Sequence, residues 1–514
     1  MPREKFPNFR KKLPNLNSIV ITIFYQKMIT KLKVFDTNIT SRPADINSQV
    51  IDESLRGIVV DPGRPRAYPE FSKKLSHLPG RKGILPAIST AISIRREGID
   101  YFRKQREAYG DIYRDWLGPY QTVVVTNPDI IGEIFRNEDK LWSSGMAIGK
   151  ITEGLSLDVP PYKRRYLLGL DFDHHQNARK LVQHAFSGTA LQGYSSIIHS
   201  SFDEDIGGWQ QLSTVGFKQE IKHILSKLSA RLFLGIYDER DANLILDTTD
   251  AFWKALVSLI KSPSLNPKRR RALELRKALR DQIFSLIPAR RAQPGADFLS
   301  YLCSIDERLE DWDDWELVDL ILGVIFPSFD TTALALSSMF YLLATNQEWQ
   351  ERLRVEAMLL PEDFSLVDLA EMVATEWVWK ETLRLYPVSP SVQRTSLRST
   401  RLGAYDIPAA TLVTLSIGQL GFLPQYWDKP AHFDPERFSP NRAEDRRHKH
   451  IYMPFGSGPH RCIGAQFSSM EVKILCAAIL RRYRVELDRP YDGKHQISPL
   501  GAISGDVSLK LKKL

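Results

Sequence analysis

The sequence predicts a mainly α-helical body carrying small β-sheets, and three observations predict it. The stretch from Trp312 to Thr345, "WDDWELVDLILGVIFPSFDTTALALSSMFYLLAT", is apolar nearly all round from Leu317, as a helix crossing a core should be. Residues 190 to 290 keep a helical rhythm broken by "SPSLNPKRR" (262–270). Strand-like segments are short: "DIYRDWLG" and "QTVVVTN" read as a hairpin joined through Gly118 and Pro119, and others come late in the chain.

Length and composition bound the answer. A chain of 514 residues with 43% hydrophobic content can bury a large core. Cys303, Cys462 and Cys476 are the only cysteines, an odd number with no Cys-x-x-Cys pair. That speaks against a disulfide framework or a four-cysteine metal site, and for a reducing compartment. The net charge is +9, but residues 1 to 35 hold eight Lys or Arg against one acid, Glu4, so the remainder is close to neutral. A nucleic-acid binder would carry its basic charge on the folded domain, which argues against nucleic acid as a partner.

The chain is then read in order. Residues 1–77 are expected to form a basic, flexible leader. Its one apolar run, "SIVITIFY" (18–25), is far short of a membrane span, and "QKMITKLK" after it is a poor cleavage context. A disordered tail, a targeting peptide and a peripheral membrane contact all remain open for it. "VDPGRPRAYPE" (60–70) reads as a linker, and the folded body, 78–514, is expected to start at "LPGRKGILP". "GIDYFRKQREAYG" (98–110) has helical spacing and stops at Gly110. "NPDIIGEIF" starts a helix at Asn127 with Pro128 in the first turn. No internal repeat or low-complexity tract is present.

Four motifs follow in the second half. In the long apolar helix, Pro327 should bend the axis, and Asp330 and Thr331 set a carboxylate and a hydroxyl beside that bend. In "EWVWKETLRLYP" (376–387), Glu381 and Arg384 share a helix face among Trp377, Leu383, Leu385 and Tyr386, which suggests a buried pair in want of partners. "DPERF" (434–438) offers Arg437. Finally, "MPFGSGPHRCIGAQF" (453–467) puts Cys462 after Gly456, Gly458 and Pro459, just ahead of a helix. A buried structural thiol needs no glycines around it, whereas a thiol that faces a bulky planar group does.

In that order these motifs resemble the cytochrome P450 family, the haem-thiolate monooxygenases, from about residue 80 to the C-terminus. Phe455, Gly456, Gly458, His460, Cys462 and Gly464 all match the family's cysteine loop. The resemblance implies the cytochrome P450 fold, haem b (iron protoporphyrin IX) as cofactor, and Cys462 as axial thiolate ligand of the iron. A thiolate pushes electron density onto iron and favours O–O cleavage. Amides at the following helix start are expected to lower its pKa. Cationic partners for the haem carboxylates are implied at His175 and Arg179 in "HQNAR", at Arg394 in "SVQRTS", and at His460. Glu381, Arg384 and Arg437 become the family's structural triad, and Asp330 with Thr331 the acid and alcohol that deliver protons. Cys303, Cys476, His174 and His184 are read as ordinary residues.

The chain departs from the family pattern at Pro327-Ser328, where Ser328 replaces a glycine and its hydroxyl is a potential substitute for that of Thr331. The basic run at Arg446, Arg447, His448, Lys449 and His450 is either a solvated face or a docking site for an acidic electron donor. Phe326, Phe329 and Leu334 suit an apolar pocket or plain core packing. The expected activity is insertion of one oxygen atom of O2 into an apolar organic substrate (lipid, terpenoid or aromatic), with electrons from a separate ferredoxin- or reductase-type donor. The alternatives are a peroxide-using peroxygenase or isomerase, and a haem protein without turnover. The expected location is cytoplasmic, with the leader as the only route to a membrane or organelle.

Overall fold

The computed structural model describes residues 51–514 except 56–62, 64–66, 82–85, 154, 156–163, 259, 261 and 306–311. The run "SIVITIFY" and most of the leader therefore lie outside the described residues.

The described helices are α1 (Pro86–Glu97), α2 (Ile99–Tyr109), α3 (Pro128–Arg136), α4 (Ser144–Ile151), α5 (Phe172–His184), α6 (Gly188–Gly207), α7 (Phe217–Leu234), α8 (Glu239–Leu256), α9 (Pro267–Ala292), α10 (Phe298–Ser304), α11 (Asp314–Thr345), α12 (Gln347–Leu359), α13 (Val373–Leu385) and α14 (Ala465–Leu480). The described strands are β1 (Ile112–Leu117), β2 (Tyr120–Val125), β3 (Trp142–Ser143), β4 (Thr214–Gly216), β5 (Val392–Ser396), β6 (Thr400–Leu402), β7 (Tyr405–Ile407), β8 (Leu412–Leu415), β9 (Tyr483–Leu487), β10 (His495–Ile497), β11 (Gly501–Ile503) and β12 (Ser508–Lys513).

Local chemistry sets the boundaries. Asn127 caps α3 by accepting from the amides of Asp129 and Ile130, with Pro128 in the first turn, as the sequence predicts. Asp313 and Glu316 form a reciprocal capping box at the start of α11. That helix runs to Thr345 with Pro327 inside it. The β1–β2 hairpin turns through Gly118 at φ +57°. The same hairpin opens a five-stranded sheet of order β1-β2-β8-β5-β3, in which β2 and β8 are parallel and the other pairs antiparallel.

The largest core cluster joins α6, α7, α11, α13 and α14, with α11 through its middle. A second cluster lies between α3 and the five-stranded sheet. Packing begins ahead of Leu78. Phe71 sits against Ala147 and Leu412, Leu75 joins the cluster under the sheet, and the Ser72 amide donates to the Ala410 carbonyl at 2.8 Å. Among the described residues α11 is the one helix long and apolar enough to cross a membrane, and 67% of its apolar window is buried inside the body. Phe329 has no exposure and belongs to that core. Phe326 and Leu334 are half-buried.

Candidate functional site

The loop carrying Cys462 is a tight construction. The Cys462 amide donates to the Phe455 carbonyl at 2.9 Å, Gly456 N–H to Met453 at 3.0 Å, and Arg461 N–H to Gly458 at 3.0 Å. Gly456 and Gly458 both sit at φ +68°, which side chains rarely adopt. A Cβ on Gly458 would also collide with the Phe135 carbonyl oxygen at the end of α3. Cys462 therefore stands two residues ahead of Gly464, the cap of α14.

The sequence led us to expect a lowered thiol pKa, and the structure corrects that. Burial pushes the Cys462 thiol up, and the Gly464 amide, Arg179 and Arg461 only partly oppose it. Cys462 is nonetheless exposed, unlike the other two cysteines. Cys303 and Cys476 are buried in the core, and burial holds the Cys476 thiol far above its ordinary range.

Beside the loop, four predicted residues converge. The His175 and His460 rings lie 3.9 Å apart at an interplanar angle of 36°. Arg179, one turn after His175 on α5, donates to the Arg461 carbonyl at 2.8 Å. Arg394, on β5, is buried and donates to the Gln393 carbonyl at 2.8 Å. Burial pushes His175 down to about 3, with the His460 charge adding to the effect. Burial also brings Arg394 down to about 10, opposed by Asp171.

Asp171, the cap residue of α5, was not foreseen. Its carboxylate bonds with Ser143 Oγ (2.5 Å), the amides of Ser144 and Gly145 (both 2.9 Å) and His460 Nε2 (3.1 Å). Burial alone would raise its pKa, but these bonds, that of His460 foremost, outweigh burial and hold it below the usual carboxylate range. No sequence motif marks Asp171, because its partners come from two distant places in the chain, 143–145 and His460. His460 Nδ1 remains buried with no partner.

On α11, Asp330 and Thr331 are adjacent in sequence but turned apart. Asp330 is buried and pairs with Lys222 Nζ of α7 at 2.7 Å, and Lys222 also reaches Asp250 of α8 at 2.5 Å. Burial raises the Asp330 pKa, against the pull of Lys222. Thr331 Oγ1 donates to the Pro327 carbonyl, one turn back, at 3.0 Å. Gly323, Phe326, Pro327, Thr331 and Leu334 form an incompletely buried stripe along the middle of a mostly buried helix. Ser328 is turned toward α7. Its hydroxyl donates to the Ile325 carbonyl at 2.8 Å and lies 2.9 Å from Ser229 Oγ on α7.

The Glu-Arg-Arg set is tighter than expected. Glu381 binds Arg384 at 2.7 Å and Arg437 at 3.1 Å, and Arg437 binds Glu444 at 2.8 Å; all but Arg384 are wholly unexposed residues, and all four side chains show no exposure. Arg384 adds the carbonyls of Gly421 and Pro430 (each 2.6 Å) and His432 (3.2 Å). Tyr452, just ahead of the cysteine loop, donates to the Lys380 carbonyl on α13 at 2.9 Å. Glu444 was hidden inside what reads as a charge run. The rest of that run behaves as a surface: Arg446, Arg447 and Lys449 are exposed, Arg447 pairs with Asp428, and His448 with Asp129.

These residues fit a haem. An accessible thiol on a glycine loop lies beside buried guanidinium and imidazole donors whose one nearby carboxylate, Asp171, is already fully engaged. An unsatisfied His460 Nδ1 and cationic Arg179 and Arg394 suit a further pair of carboxylates. The family model described as Cytochrome P450 matches residues 79–511. Cytochrome P450 136 of Mycobacterium tuberculosis is 28% identical over 438 residues, covering 82% of this chain and 87% of its own. Cyclooctat-9-en-7-ol 5-monooxygenase of Streptomyces melanosporofaciens is 27% identical over 452 residues, covering 84% and 94%. The solved structure of retinoic acid bound cyanobacterial CYP120A1 superposes with a TM-score of 0.74 at 22% identity, over 82% of this chain and 96% of that one. With the family model spanning most of the chain, this protein belongs to the cytochrome P450 family, haem-dependent oxidoreductases of the monooxygenase class.

Proposed function

We propose that this chain binds haem b through Cys462 and inserts one oxygen atom of O2 into an apolar organic substrate of the lipid, terpenoid or aromatic kind. The observation that carries the reading is the accessible Cys462 thiol on the Gly456–Gly458 loop, beside the buried Arg394 guanidinium and the His175 and His460 imidazoles. A thiolate-bound haem supplies the activation of dioxygen. His460 through Nδ1, Arg179, Arg394 and His175 would hold its carboxylates. Glu381, Arg384 and Arg437, with Glu444, fix the segments around the loop and take no part in the chemistry.

Thr331 is the proton-handling group on the half-exposed stripe of α11. Its hydroxyl now donates to the Pro327 carbonyl and can turn to a ligand instead. Asp330 acts behind it, through the Lys222–Asp250 cluster. Electrons come from a separate ferredoxin- or reductase-type protein, for which exposed Arg446, Arg447 and Lys449 offer a basic face. Leu55 already packs with Met146, Leu397 and Ala410, so of the leader expected over 1–77 the part ahead of Ile51 keeps that role; we place the protein in the cytoplasm, with at most a peripheral membrane contact through it.

The pairing of Asp330 with Lys222 favours a second reading, a peroxide-using enzyme that needs no proton from α11. Purified protein should give the thiolate-type absorption band when reduced under carbon monoxide, and Cys462→Ser should abolish it while keeping the helical circular dichroism. Oxygen consumption with a donor protein then supports the monooxygenase; turnover only with peroxide supports the alternative.

A further inference from the structure

Arg269, the third residue of α9, has no exposure at all. Its Nε donates to Ser258 Oγ at 3.3 Å, and its two terminal nitrogens, Nη1 and Nη2, are buried with no partner. Three other buried arginines have partners for their terminal nitrogens. Arg276 pairs with Asp319 at 3.1 Å, Arg165 with Glu316 at 2.5 Å, and Arg164 donates to the Tyr68 hydroxyl at 2.7 Å. Among the described residues no carboxylate pairs with Arg269. The titratable group whose charge bears on it is the Tyr120 phenol of β2. The acids closest to that phenol, Glu70 and Glu153, are both taken by Lys150, at 2.5 and 2.9 Å.

A guanidinium stays charged under all ordinary conditions, so this is a cation removed from water with two idle donors. Burial of that kind is among the least favourable arrangements a core can hold, unless a counter-ion arrives. The surroundings say what else the arriving molecule carries. Ala272, one turn further along α9, packs with Ala255 and Leu155, and Ala251, Phe252 and Leu256 complete that small apolar cluster. The Phe252 ring lies 5.9 Å from Phe326, which belongs to the half-exposed stripe of α11 that includes Pro327 and Thr331. An apolar seam thus leads from Arg269 to the stripe proposed to handle protons.

We propose that Arg269 is the anion-binding end of the substrate site and takes the carboxylate of an otherwise apolar organic acid. Its paired N–H groups match the two oxygens of a carboxylate, a single negative charge neutralises it, and the seam takes the hydrocarbon. A phosphate dianion would leave one charge unmatched in the same enclosure. The inference rests on the monooxygenase reading for what happens at the far end of the molecule, but not for the binding itself.

The test uses the haem-loaded protein with hexadecanoic acid and methyl hexadecanoate, following the shift of the haem absorption band and the melting temperature. The wild type is expected to bind the acid about tenfold or more tightly than the ester, the scale of one charge-assisted hydrogen-bond pair. In Arg269→Met that preference should vanish with the ester's affinity unchanged, and in Arg269→Lys part of it should survive. Without ligand, Arg269→Met should melt at or above the wild-type temperature, because an unpaired charge has been removed. Equal binding of acid and ester by the wild type overturns the proposal, as does a preference that persists in the methionine variant. A lowered melting temperature of the ligand-free variant also overturns it, since it would make Arg269 a structural residue. So does a wild type that answers the acid neither by spectrum nor by melting. A normal carbon monoxide band alongside any of these results removes this inference alone; a missing band removes the enzymatic reading.

Discussion

Arg437 and Arg269 are both wholly buried, and they are held in opposite ways. Arg437 spends its guanidinium on Glu381, Glu444, and the carbonyls of Asp428 (3.0 Å) and His432 (3.1 Å). Arg269 has one weak bond to a serine hydroxyl. The contrast separates two regions of the molecule. Within the Glu381–Arg384–Arg437–Glu444 cluster every buried charge is answered by the chain itself, so nothing there needs to move or to wait for a ligand. Along α9 and the stripe of α11, polar groups are left idle or lightly tethered. The first region specifies a geometry; the second keeps donors free for molecules that come and go.

The sharpest way to break the comparison is to strip a charge from each side. Arg437→Met removes the cation that Glu381 and Glu444 share, leaving Glu381 with Arg384 and Glu444 with the half-buried Arg442. It should cost about 3–5 kcal/mol of folding stability, with loss of bound haem, as read by denaturant unfolding and haem absorbance. Arg269→Met, by contrast, should lose none. Glu444→Gln keeps the shape and removes one charge, so a loss of about 2 kcal/mol is expected, measured in the same way. A loss as small as that of an exposed ion pair would mean that the buried cluster is less coupled than its distances suggest.

Next in size are effects on α11. Thr331→Ala should lower product formed per electron pair several-fold, with the balance appearing as peroxide, while Ser328→Gly leaves that ratio unchanged. The Ser328 hydroxyl is committed to Ile325 and to Ser229 on α7, so it has nothing to contribute. If both single variants uncouple equally, the hydroxyls are interchangeable and the orientation seen here does not hold during turnover.

The smallest effect concerns pH. His495 bonds to the Pro387 carbonyl at 3.3 Å, and burial lowers its pKa to about 4. Its folded pKa lies below the unfolded value of about 6.5. The stability it contributes is therefore complete above pH 6.5 and lost as pH falls toward 4, because the unfolded chain takes up the proton first. Melting temperatures from pH 7 to 5.5 should fall by the equivalent of about 1 kcal/mol from this group, and His495→Phe should lessen that slope.

Much of this was legible in the sequence, for identifiable reasons. The helix over 314–345, the hairpin at 112–125 and the cap at Asn127 rest on local rules that act within a few residues. Cys462, Arg179, His175, Arg394 and His460 came from the family resemblance, and the structure brings them to one place. What escaped was whatever depends on long-range pairing. Asp171 carries no motif, Glu444 looked like part of a solvated run, and Lys222 sits in an ordinary helical pattern. The expectation of a depressed Cys462 pKa failed for a related reason: one nearby amide was weighed, and the burial opposing it is not readable from the chain. The half-exposed positions of α11 were equally invisible, because their residue types match those of the core.

The Glu381–Arg384–Arg437–Glu444 cluster also has a kinetic meaning. Glu381 and Arg437 are 56 positions apart, and none of the four charges tolerates burial alone. Glu381–Arg384 and Arg437–Glu444 are local pairs, but a long loop must close before the two meet, so this junction forms late on the folding path. The cysteine loop lies beyond it in the chain and is tied to α13 through Tyr452. The loop of Cys462 therefore becomes ordered only in a nearly finished molecule, and the cluster serves as a checkpoint in assembly: chains that have not closed it have no ordered loop to present.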